Sequence, residues 1–65
     1  MREYARIDRI LKKLKRIWKA TPDQRLGQRL ININMDFEIN NKAMWELEDD
    51  LFEEMLDDTL KEMKL

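Results

Sequence analysis

The chain has 65 residues, a formal net charge of −1, and neither Cys nor His. That length allows one domain, with a core that rarely gives more than about 3–5 kcal/mol of stability. The missing residue types exclude disulfides, Cys- or His-ligated metal and the usual general base.

No apolar run approaches the roughly 20 residues of a membrane span, so no membrane partner is expected. The amino end is charged throughout and has no leader pattern, which places the chain in the cytoplasm as an expectation. The net charge conceals a polarity. Residues 1–33 carry ten Lys/Arg against three acids, and residues 34–65 carry three Lys against eleven acids. Such an asymmetry points to an interaction surface, or to halves that neutralise each other inside the fold.

Residues 4–20 predict the first helix. Tyr4, Ile7, Ile10, Leu11, Leu14, Ile17 and Trp18 recur at helical spacing and cover an arc of about 140°. Arg6, Arg9, Lys12, Lys13, Lys15, Arg16 and Lys19 fill the remaining surface. Tyr4 and Trp18 lie on the apolar stripe, so both are expected in the core.

Pro22 cannot continue a helix from before it. Thr21 suits an N-cap, Pro22 the first helical position, and Gln24 the third position of a capping box. The second helix is therefore expected over residues 22–33, with Leu26, Leu30 and Ile33 inward. Gly27 inside it costs about 1 kcal/mol relative to Ala. Close approach of another helix, with Trp18 beside it, is the expected reason.

Residues 34–48 are expected to be irregular or hairpin-like. Ile31, Ile33, Met35, Phe37 and Ile39 alternate with polar residues, the period of a half-buried strand. Asn40-Asn41 could turn a hairpin, with Ala43, Trp45 and Leu47 on the return strand. The last helix is expected over residues 49–64. Leu51, Phe52, Met55, Leu56, Leu60 and Met63 form one side, and acids cluster on the other. Acids at its start and Lys61 and Lys64 at its end suit the helix dipole. The whole predicts a mainly α, compact three-helix domain over residues 1–65.

Three segments, RIDRIL, WKATPDQRLGQ and LEDDLFEEML, stand in fixed order. In these the chain resembles a group of small uncharacterised proteins encoded by bacteriophages and prophages. That group carries R-I-D, then W-x-x-x-P-D-x-R-L-G-Q, then E-D-D. The matching positions are Arg6, Ile7, Asp8, Trp18, Pro22, Asp23, Arg25, Leu26, Gly27, Gln28, Glu48, Asp49 and Asp50. The chain departs at Arg29, where the group tends to be apolar, and in a longer insert around residues 34–44. The resemblance implies a phage origin and a bacterial host cell, and brings no activity with it.

The acidic doublets Asp49-Asp50, Glu53-Glu54 and Asp57-Asp58 are the candidate partner-binding site. Six carboxylates in ten residues give one charge per roughly 2–3 Å of helix axis. Duplex DNA carries one per roughly 1.7 Å, or one per roughly 3.4 Å on a single strand. A phosphate-binding groove could accept such a face, which then acts as a nucleic-acid mimic. The bland counterpart is a solvated face partly paired with the first helix.

No catalytic residue is assigned, because carboxylates along an exposed helix lack a pocket that separates their pKa values. No metal site is assigned, because calcium loops need a Gly turn that this segment lacks. No cofactor is expected.

The expected function is a non-catalytic phage protein that binds a host protein. Its target would be a CRISPR-type or other nucleic-acid-handling defence complex, engaged through the acidic face. The alternative is nucleic-acid binding by Arg6, Arg9, Lys12, Lys13, Arg16 and Lys19 of the first helix. A third reading is a homo-oligomeric structural module, such as a homodimer, whose charged halves pair between subunits.

Overall fold

The computed structural model describes residues 4–64. The domain expected over 1–65 therefore includes residues 1–3 and 65, which lie outside the described part. The fold is mainly α. Among the described residues there are four helices and no strand: α1 (Ala5–Ala20), α2 (Leu26–Asp36), α3 (Asn41–Glu46) and α4 (Asp49–Met63). No described helix is long and apolar enough to cross a membrane.

The core is small. Ile17 of α1, Ile33 of α2, and Met55, Leu56 and Leu60 of α4 form its buried centre. Ile10, Leu14, Phe37, Ile39, Leu47, Phe52 and Met63 pack around them. The first-helix stripe is thus only partly internal. Ile10, Leu14 and Ile17 face the core, whereas Tyr4, Ile7 and Leu11 are exposed, which corrects the expectation for Tyr4.

The second helix begins later than expected. Thr21 closes α1 through its N–H to the Trp18 carbonyl, and residues 21–24 form a turn with Gln24 N–H donating to the Thr21 carbonyl at 3.1 Å. The Gln24 carbonyl accepts the Trp18 indole N–H at 2.6 Å. That ties the turn to α1, and the helix starts only at Leu26. Gln28, not Gln24, supplies the capping contact, accepting the Arg25 N–H at 3.0 Å. The expectation for Gly27 is also overturned, since a Cβ there would meet nothing within 4 Å. Trp18 does not press against it and is 36% exposed.

The strand-like alternation at 31–39 is helix as far as Asp36, with residues 37–39 closing it. Ile33 and Phe37, four residues apart, point inward, while Ile31 and Met35 form a second such row facing solvent. Two interleaved helical rows therefore mimic a period of two. α2 ends with Glu38 in the left-handed conformation at φ 57°. Its N–H donates to the Met35 carbonyl at 3.0 Å and the Ile39 N–H to the Asn34 carbonyl at 2.7 Å. This is the paired closure of a Schellman motif, made without glycine. The expected hairpin is replaced by α3, capped by Asn40, whose Oδ1 accepts the Ala43 N–H at 2.8 Å.

Candidate functional site

Helix propagation places Asp49, Glu53 and Asp57 in one row of α4 and Asp50, Glu54 and Asp58 in the adjacent row, because each set advances by four residues. The two rows have different surroundings. Arg6 Nε lies 2.6 Å from Asp49 Oδ2, and Arg9 Nε lies 2.7 Å from Glu53 Oε2. Lys13 Nζ lies 2.6 Å from Glu53 Oε2 and 2.8 Å from Asp57 Oδ1. Residue numbers rise together on both helices, so α1 and α4 run parallel and are laced along one edge.

Glu53 is the centre of this ladder. Its side chain is 11% exposed and accepts from two cations. The Arg9 and Lys13 hydrogen bonds hold its carboxyl well below the usual range, down to about 2. The hydrogen bonds that Lys13 donates to Asp57 and then Glu53 raise its ammonium above its ordinary value. Glu53 is thus internal structure, which corrects its assignment to an outward face, while Asp49 and Asp57 meet α1 and keep side chains 43% and 44% exposed.

Asp50, Glu54 and Asp58 remain exposed. Asp50 Oδ1 accepts the Leu51 N–H at 2.9 Å, a local contact at the helix start. The next step of four residues reaches Glu62, also exposed, which extends the outer row. Its signal was the same spacing, hidden by the break in the doublet pattern after Asp58. Lys61 joins Glu54, Asp57 and Asp58 around a shallow polar hollow.

The basic set divides in the same way. Arg6, Arg9 and Lys13 are engaged with α4, and Lys12, Arg16 and Lys19 are exposed, together with Lys15. Among the described residues, no group of three or more His, Cys, Asp or Glu could hold a metal ion. Further surface hollows include one lined by Arg6, Glu48, Asp49 and Asp50, and two others. Of those two, one is apolar and lined by Lys15, Trp18, Lys19 and Pro22. The other includes Asn41, Met44, Trp45 and Phe52. Comparison with protein-family profiles, curated proteins and solved structures finds no match to the chain.

Proposed function

We propose that the chain is a non-catalytic phage protein that binds a host protein through the outer acidic row of α4. Its target would be a nucleic-acid-handling defence complex, of CRISPR type or another, and binding would inhibit it. The observation that supports this is the division of the doublets. The inner row already meets α1, so the outer row of Asp50, Glu54, Asp58 and Glu62 is not needed to hold the helices together. Its carboxylates are spaced about 6 Å apart along the axis. One strand of DNA presents a charge every 3.4 Å or so, so this strip offers roughly half that density. It fits a groove of basic side chains better than it imitates a whole duplex.

The test is capture from bacterial host lysate with identification of the bound protein. Wild type is compared with the variant Asp50→Asn, Glu54→Gln, Asp58→Asn, Glu62→Gln, with circular dichroism confirming the fold. The expected result is a nucleic-acid-handling partner that DNA displaces and that the variant captures at least about tenfold less well. Equal recovery by both proteins would remove the outer row as the binding surface.

Nucleic-acid binding through α1 is the alternative, favoured by one observation. Lys12, Lys15, Arg16 and Lys19 are exposed within two turns. If it holds, duplex DNA binds with a salt slope that drops by about one unit for each of these cations removed.

A further inference from the structure

The outward side of α1 carries a second pattern that the core uses only at Leu14. Tyr4, Leu11 and Trp18 are spaced by seven, and Ile7 and Leu14 stand at the fourth position of the same heptads. This is the a/d arrangement of a helix that pairs with another helix. Ile10 and Ile17, on one flank of the seam, and Leu14 within it are packed into the core with α4. The rest of the seam is open, with Tyr4 86% and Leu11 56% exposed.

We infer that a second copy of the chain covers this seam, α1 pairing antiparallel with its counterpart about a two-fold axis at Leu11. Three features select this occupant. First, Asp8 and Lys15 share one heptad position on the outer flank, and both are exposed. Like flanks meet in an antiparallel pair, so Asp8 of each copy faces Lys15 of the other, twice per dimer. A parallel pair would instead bring Asp8 against the Ile10–Ile17 flank, which is already in the core.

Second, a centre at Leu11 sets Tyr4 of one copy opposite Trp18 of the other, since each lies seven residues away. Trp18 borders the apolar hollow completed by Lys15, Lys19 and Pro22. The Tyr4 ring would enter it and keep its hydroxyl at the wet rim. Third, only five hydrophobic residues are buried within the described chain, and chains of this size commonly gain stability by association.

The seam runs for about 21 Å. That contact is smaller than the roughly 800 Å² per partner of a standard interface, so a weak dimer with a dissociation constant in roughly the micromolar range is expected. The ion ladder between α1 and α4 stays within each copy, unlike a module whose charged halves pair between subunits.

Sedimentation across the micromolar range tests this. Wild type should show a monomer–dimer equilibrium. Asp8→Lys and Lys15→Glu should each weaken it by about tenfold, and the double variant should restore it, because the exchange recreates both pairs. Both positions are exposed, and circular dichroism checks that the fold persists. In this cysteine-free chain, Leu11→Cys should oxidise to a disulfide dimer and Tyr4→Cys should not. A monomer at every concentration would overturn the dimer. Failure of the double variant to restore association, or cross-linking through Tyr4→Cys, would overturn the antiparallel arrangement.

Discussion

Lys13 Nζ donates to Glu53 Oε2 at 2.6 Å, and this contact joins the first and last helices of the fold. Glu53 also accepts from Arg9 at 2.7 Å, while its chain neighbour Glu54 faces solvent. The two residues of one doublet therefore have opposite roles. Glu53→Gln keeps the side-chain size and removes the charge that both cations meet. It should lower the urea unfolding midpoint clearly. Glu54→Gln should leave that midpoint nearly unchanged, as exposed surface substitutions do. Equal effects of the two would mean that the ladder does not hold α1 to α4.

The same ladder fixes a pH dependence. The Glu53 carboxyl is depressed from 4.5 to about 2 by its hydrogen bonds to Arg9 and Lys13. A depressed acid stabilises the fold above its unfolded pKa, because the unfolded chain then binds the proton more readily. That contribution should be complete above about pH 4.5 and disappear as pH falls toward about 2. Lys13 has the opposite sign. Its raised pKa, due first to Asp57 and then Glu53, gives stability that is complete below 10.5 and lost on further rise through the folded value. Urea midpoints of wild type and Glu53→Gln, measured against pH, should converge at the acid end and separate above it.

The helical class, α1 and α4 were legible in the sequence because their apolar periodicity is strong and the core uses much of it. Ile17, Ile33, Leu56 and Leu60 were all placed inward, and all are buried. The errors have physical causes. A stripe of helical spacing shows which side is apolar and not how much of it a neighbour covers, so Tyr4 was misplaced. Residues 31–39 misled because α2 has apolar residues on two faces. The acidic doublets were legible as a strip, but their division into an inner and an outer row depends on where α1 lies. Arg6, Arg9 and Lys13 carry the matching spacing, yet spacing alone does not pair residues that stand 40 or more positions apart.

Trp18 and Gly27 give a pair of opposite predictions. Trp18 is 36% exposed, and its indole N–H donates to the Gln24 carbonyl at 2.6 Å. Trp18→Phe should cost about 1 kcal/mol, the worth of one such bond. Gly27 lies in α2 with open space where a Cβ would stand, and its φ is not positive. Gly27→Ala should therefore raise stability by about 1 kcal/mol through helix propensity and a less flexible unfolded chain. Denaturant unfolding checks both. A loss of stability in Gly27→Ala would mean that a neighbour does approach that face.

Glu38 ends α2 with φ 57°, a conformation that glycine adopts without Cβ strain. Its N–H and that of Ile39 close the helix, so the geometry is held by two hydrogen bonds and not by residue preference. Glu38→Gly should stabilise the fold by about 1 kcal/mol, and Glu38→Val should destabilise it, because a β-branched residue resists that region. If thermal melts rank the three in another order, the left-handed closure is not the conformation in solution.

Arg29 is a buried cation with an unpartnered nitrogen in the described fold. It is a buried residue of α2, and its Nη2 reaches Met63 Sδ at 3.5 Å, a weak acceptor. Among the described residues its Nε has no hydrogen-bond partner. A buried cation without a carboxylate is costly, and an apolar side chain of similar length avoids that cost. Arg29→Met should therefore raise stability by about 1 kcal/mol or more, and the gain should persist in high salt because no screened surface pair is involved. Arg29→Lys should not reproduce it, since the compact ammonium is more strongly hydrated and desolvates less readily. The competing effect is attraction between the guanidinium and the carboxyl end of α4, where Met63 lies. Urea unfolding of the three proteins decides between them. A clear fall in stability for Arg29→Met would show that this attraction outweighs the burial cost, and that the charge is part of what holds α2 against α4.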